Sequence, residues 1–328
     1  MTGGDLYRDP GYIRAANEHF SVSFNFSNFL QSNIDKGGIG VAREFRRRAT
    51  ANNQILYIHP GFMPVEDRET WLKNARNEEV RPLMEKRIRV LLEFVEKVDT
   101  GAKPTFINFI NEAFFYGNDS NAGVVSPYRD VFGDKFVSET YLMFYRAAKE
   151  MGLQIGKDLR MIVSDSDIQK PGGKSDFVLK ELLKAKREIA ANLGIPEQDV
   201  QLDVAPHFYQ PLDGRLSWYR RPLPTKDEII ENFKRFSQVG RLHVTELSVL
   251  GTKNQAEINQ GLIRVMTAAV QSGVCDSINI WLALRIKPTP DQQADIFFNQ
   301  LGLFDNDYNP TDNYRALLQA LMELLLKK

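Results

Sequence analysis

The chain of 328 residues is poor in cysteine, in excess charge and in long apolar runs. Its one cysteine, Cys275 in Gly273-Val274-Cys275-Asp276, excludes an internal disulfide and a cysteine-built zinc centre, and is expected to act as a small buried apolar residue. Lys+Arg and Asp+Glu both number 42 without a long block of either sign. That argues against nucleic acid or an anionic membrane surface as partner, and for a neutral or small substrate. No apolar stretch approaches the ~20 residues that span a bilayer. Met1-Thr2-Gly3-Gly4-Asp5 has none of the basic and apolar pattern of a secretory signal; since a signal removed in processing would leave the same sequence, the compartment stays open. Repeats, linkers and composition breaks are missing as well, so one domain over residues 1–328 is expected.

What the chain does contain is alternation. Short β-branched or aromatic runs at 19–25, 54–59, 105–111, 159–164, 200–205, 241–246 and 277–281 are predicted as strands. Between them, amphipathic stretches at 38–51, 78–98, 134–151, 174–193, 225–239, 255–272 and 312–325 are predicted as helices, and 9–17 as one more. Pro224-Thr225-Lys226-Asp227-Glu228 reads as a helix start with Thr225 as its cap. Successive βα units of this kind imply an α/β fold, a (β/α)₈ TIM barrel. A closed barrel needs eight strands and seven are read, so the first is short, supplied by Met1 to Asp5, or missing from this chain.

Active sites of such barrels lie at the carboxyl ends of the strands. The residues closing the runs are Asn25, His59, Asn111 with Glu112, Asp165, His207, Glu246 and Trp281. Two carboxylic acids on different strands are what glycosidic cleavage requires, one to protonate the departing oxygen and one to attack the anomeric carbon. Glu112, ending Phe106-Ile107-Asn108-Phe109-Ile110-Asn111-Glu112, suits the acid, because an apolar setting raises a carboxyl pKa. Glu246, in Leu242-His243-Val244-Thr245-Glu246-Leu247, suits the nucleophile, with His207 placed to hold it ionised. Asn111, His59, His207, Trp281 and Tyr209 are the expected substrate contacts, with Asp165 in support. Phe114, Phe115, Tyr116, Trp218 and Tyr219 are further candidates for the cleft, or else loop-packing residues.

These residues resemble, in order from about Asp5 to Leu325, family 10 of the glycoside hydrolases, the xylanase family. Tyr57-Ile58-His59 looks like its Val-Trp-His, Asn111-Glu112-Ala113 its acid/base motif, and Asp165 falls in its Asn-Asp-Tyr-Asn. His207 sits at its Gln-x-His, Val244-Thr245-Glu246-Leu247 at its nucleophile strand, and Ile280-Trp281 at its Phe-Trp-Gly. Leu303-Phe304-Asp305-Asn306-Asp307-Tyr308-Asn309-Pro310 is similar to its closing segment. The resemblance implies a retaining β-glycosidase of the endo-1,4-β-xylanase kind, an extracellular setting, and an oligosaccharide or polysaccharide as partner. Neither metal nor cofactor is required, and a monomer is the simplest expectation.

Departures fall on the sugar grips. The family's Glu-Asn-x-x-Lys element reads Asn25-Phe26-Ser27-Asn28-Phe29 here, the Gln of Gln-x-His becomes Ala205, and the Asp two residues beyond the nucleophile becomes Ser248. A different β-glycan is one consequence; a catalytically weak or inactive carbohydrate-binding barrel is the rival. A metal-dependent hydrolase built on His59, His207 and Asp165 is a third reading, opposed by the lack of His-x-His or His-Glu-x-x-His spacing.

Overall fold

In the computed structural model, residues 9–19, 22–25, 39–59, 61–62, 72, 74–115, 123–124, 128–208, 222–248, 255–280, 303–305 and 307–326 are described. Each of the seven predicted strand segments corresponds to a strand, and every predicted helix to a helix, with shifted ends. The expected opening strand lies outside the described residues. Contacts divide the chain into two compact units, one holding Phe20–Asp165 and Asp176–Val204, the other Arg8–His19, Ser166–Ser175 and Ala205–Lys328.

The first unit holds β1 (Val22–Asn25), α2 (Ile39–Ala51), β2 (Ile55–Ile58), α3 (Asn77–Leu92) and β3 (Thr105–Asn111). There follow the short strands β4 (Phe114–Phe115) and β5 (Gly123–Val124), then α4 (Tyr128–Phe132), α5 (Phe136–Glu150), β6 (Leu159–Asp165) and most of α6 (Lys174–Leu193). Strands β1, β2, β3 and β6 are neighbours in that order, all parallel. All seven residues of β3 are buried, as befits a parallel strand covered on both faces. On α3, Val80, Met84, Arg87, Ile88, Leu91 and Leu92 are buried at helical spacing, which is why it docks on the sheet.

Helix α3 stops six residues short of the predicted end. Phe94 and Val95 continue the apolar pattern and are buried, but the chain leaves the helix after Glu93. A 3₁₀ turn at Val98–Thr100 replaces it, fixed by Asp158 Oδ1 accepting from the Val98 N–H at 2.9 Å and closed by Gly101 at φ 87°. A carboxylate from a distant segment thus ends what local periodicity would have continued. Likewise β7 (Asp203–Pro206) starts later than predicted, since Glu197–Asp199 form a 3₁₀ turn ahead of it. The β4–β5 pair and α4 carry too few residues for a periodic signal.

The second unit holds α1 (Pro10–His19), the end of β7, α7 (Lys226–Phe236), β8 (Leu242–Leu247), α8 (Gln255–Ser272), β9 (Cys275–Ile280) and α9 (Asp312–Leu326). Strands β8 and β9 pair in parallel. The closing motif folds back as a tight turn: Asp305 Oδ1 accepts from the Asp307 N–H at 2.9 Å and the Asn309 N–H at 2.8 Å. Tyr308, at φ 63°, reaches Asp9 Oδ2 at 3.4 Å. Its ring leaves 2.7 Å to a Cβ built on Gly11, so Gly11 has no room for a side chain. The motif therefore staples α1. Among the described residues no helix is long and apolar enough to cross a membrane.

The cap read from sequence is present on α7. Thr225 Oγ1 accepts from the Glu228 N–H at 3.3 Å, and Glu228 Oε2 accepts from the Thr225 N–H at 2.8 Å, forming a capping box. Thr225→Ala is expected to cost about 1 kcal/mol in urea unfolding, and an unchanged midpoint would contradict the cap. The Thr225 N–H holds the Glu228 carboxyl below its usual 4.5. The Thr225 hydroxyl adds to this by donating to Glu228 Oε2 at 2.9 Å, and since that contribution is full above 4.5 and fades as pH falls through the lower folded-state value, the cost of Thr225→Ala should shrink in acid.

Cys275 opens β9 half-buried, its thiol pointing to the Ser277 carbonyl at 3.4 Å, and burial pushes its pKa up to about 12. Since the thiolate is the reactive form, the native thiol should resist Ellman's reagent at pH 8 and react promptly in guanidinium. Prompt labelling of the folded protein would refute this.

Candidate active site

The carboxyl end of β3 is a polar knot in an apolar strand. Asn108, between Ile107 and Phe109, is fully buried, and a buried amide without partners would cost about 1–3 kcal/mol. It is satisfied with its oxygen accepting from His59 Nδ1–H at 2.6 Å and its nitrogen donating to the carbonyls of Ile110 at 2.7 Å and Ile162 at 3.1 Å. This sets the tautomer of His59, itself fully buried after β2 and stacked on Tyr57. Residues three apart on a regular strand face opposite sides. A bulge between Asn108 and Ile110 breaks that alternation, so the Asn108 and Asn111 side chains lie on the same side of the strand. Ser164 on β6 donates its hydroxyl to Asn111 Oδ1 at 2.6 Å.

Glu112 follows at φ 49°, in the left-handed region. For a residue with a Cβ this costs roughly 1–2 kcal/mol, so the surroundings must hold it there. Its N–H donates to the Ser164 carbonyl at 2.9 Å, and two residues on the Phe114 N–H donates to Asp165 Oδ2 at 3.0 Å. Glu112 is half-buried, while Asn111, Ala113 and Asp165 are buried. The second unit presents the other acid. Glu246, on β8, is 4% exposed. His207, following β7 and fully buried, brings Nδ1 to 3.8 Å from Glu246 Oε2. That is too long for a hydrogen bond, and the two groups form an ion pair only when the imidazole is protonated. The backbones are locked together: Phe208 N–H donates to the Glu246 carbonyl and Ser248 N–H to the Phe208 carbonyl, both at 2.8 Å. The buried Gln169 side chain donates to the His207 carbonyl.

Of the residues singled out in sequence, His59, Asn111, Glu112 and Asp165 thus gather within the first unit, and His207 with Glu246 in the second. Tyr209 and Trp281 lie outside the described residues, as do Tyr116, Trp218 and Tyr219; Asn25 closes β1, and only its backbone is described, as is that of Phe115. Phe114 does not line a cleft: it is 4% exposed and packs edge-on against Phe177. Asn108, Ser164 and Gln169 were not legible as site residues, although a polar residue interrupting Phe106 to Ile110 was a usable signal for the first. Among the described residues no group of three or more His, Cys, Asp or Glu side chains could hold a metal ion.

No sequence-family model matches the chain, and no curated protein sequence does. Solved structures do. Xylanase 10B from Thermotoga maritima superposes with a TM-score of 0.70 at 17% identity over 100% of this chain and 93% of that one. A family 10 xylanase from Bispora sp. MEY-1, crystallised with xylobiose, gives 0.69 at 18% identity over 98% and 94%. A mutant of Pseudomonas fluorescens subsp. cellulosa xylanase A, in complex with xylopentaose, gives 0.71 at 14% identity over 98% and 94%. These neighbours are (β/α)₈ barrels, and the curled parallel sheet of the described residues is consistent with part of such a barrel.

Proposed function

We propose that the protein is a divergent family 10 glycoside hydrolase that cleaves xylan-like or related β-linked glycans with retention of configuration. Glu112 protonates the leaving oxygen as Glu246 attacks the anomeric carbon; the covalent glycosyl-enzyme is then opened by water that gives its proton to Glu112. Asn111, His59, His207, Tyr209 and Trp281 are assigned to the sugar. The observation that carries this reading is that the two acids singled out in the sequence stand at the carboxyl ends of β3 and β8, each in a built polar setting. In this fold, active sites are assembled at those ends. The bound xylobiose and xylopentaose of two structural neighbours support an oligosaccharide substrate. Loss of the Glu-Asn-x-x-Lys grip favours a glycan other than ordinary xylan.

The test is release of aryl alcohol from aryl β-xylosides, β-xylobiosides and β-glucosides, with the first-formed anomer followed by NMR. Release with retention, and carboxyl groups about 5–5.5 Å apart in a crystal structure of the complex, are the expected results. Xylo-oligosaccharide binding without any release would leave a carbohydrate-binding barrel instead.

A further inference from the structure

We propose that Asp165 is a positioning residue that keeps Glu112 in its left-handed conformation, and through it the aim of the acid; this rests on the hydrolase reading above. The carboxyl end of β6 holds the Asn111–Phe114 segment at three successive points. Ser164 Oγ donates to Asn111 Oδ1 at 2.6 Å, the Ser164 carbonyl accepts from the Glu112 N–H at 2.9 Å, and Asp165 Oδ2 accepts from the Phe114 N–H at 3.0 Å. The first two fix the chain before and at Glu112; beyond it, Asp165 ties Phe114 to β6 while β5 pairs with β4. A non-glycine residue at φ 49° persists only where its surroundings over-determine the backbone, and Asp165 is one of the groups that do so here. Asp165 is fully buried, so water does not readily replace it as acceptor for the Phe114 N–H. Its carboxylate thus supports a backbone turn, and the acid inherits its direction from that turn. Glu246 makes no use of Asp165 in this scheme, so only steps in which Glu112 gives or takes a proton should feel its loss.

The experiment compares Asp165→Ala and Asp165→Asn on two aryl glycosides of the same sugar, one with a phenyl and one with a dinitrophenyl leaving group. Asp165→Ala should lower kcat on the phenyl glycoside by about 10- to 100-fold, the scale of an ångström-sized misplacement, with KM little changed. On the dinitrophenyl glycoside, whose leaving group departs without protonation, the burst that reports glycosyl-enzyme formation should stay near wild type, while the steady state, which needs Glu112 as base, slows. Asp165→Asn retains an oxygen facing the Phe114 N–H and should stay close to wild type on both. An equal loss in the glycosyl-enzyme-forming step of both substrates, or a change in KM alone, would overturn the proposal. So would an asparagine variant as impaired as alanine with a displaced pH profile, since charge would then be the active property. If the alanine variant does not fold, Asp165→Ser, too short to reach Phe114, replaces it. Should the wild-type protein release nothing from either substrate, the hydrolase reading falls by itself. Crystal structures of the variants then decide the positioning role: residue 112 leaving positive φ in the alanine variant alone supports it, and an unmoved residue 112 rejects it.

Discussion

Glu246→Ala is expected to lower turnover of every substrate by at least about 10⁴-fold, because a double displacement without its nucleophile has no first step. The leaving group should not matter, since a better one does not replace the missing carboxylate. Adding azide should restore part of the rate, and because the azide ion attacks from the side that Glu246 occupied, the product should be the glycosyl azide of inverted configuration. The location makes the variant a clean probe. Glu246 is buried on β8 with its carbonyl already bonded to the Phe208 N–H, so backbone order does not depend on the side chain. Removing it also leaves His207 without its carboxylate neighbour at 3.8 Å, a change that Glu246→Gln, of nearly the same shape, separates from the loss of the nucleophile. Equal activity of wild type and Glu246→Ala on the phenyl glycoside would end the assignment of Glu246 as nucleophile.

Period-2 and period-3.6 patterning was enough to place strands and helices, because their cores are filled by runs such as 105–111 and the buried face of α3, where burial and local preference agree. The failures occur where a distant side chain overrules the local pattern, as when Asp158 takes the Val98 N–H and ends the apolar repeat early. At the site the acids and histidines were readable, since ionisable residues at strand ends stand out against apolar runs. Their supports were not. The bulge at Asn108, the left-handed turn at Glu112 and the attachment to Ser164 are consequences of register between β3 and β6, and register is set by the whole sheet. Asp165 illustrates the boundary: its type and place marked it as a supporting residue, but the N–H it serves belongs to Phe114, which the sequence left open as either a cleft or a loop-packing residue.

Glu112→Ala should divide the two halves of the reaction. General acid assistance contributes about 10²–10⁴-fold, and it matters most when the leaving oxygen is basic. The variant is thus expected to lose that full factor on phenyl glycosides while forming the glycosyl-enzyme from a dinitrophenyl glycoside at a rate near wild type. Hydrolysis of that intermediate still needs a base for the incoming water, so the expected trace is a burst of dinitrophenol followed by a slow steady state. Azide, which needs no base, should accelerate the slow phase and give the glycosyl azide of retained configuration, opposite to the product of Glu246→Ala. The alanine also removes a side chain from a left-handed residue without relieving the backbone, since the Cβ that makes φ 49° costly remains. Stability should therefore change little, and unfolding in urea checks that the kinetic loss belongs to the carboxyl group. A variant that shows neither burst nor azide effect, yet folds as the parent does, would take the acid/base role away from Glu112.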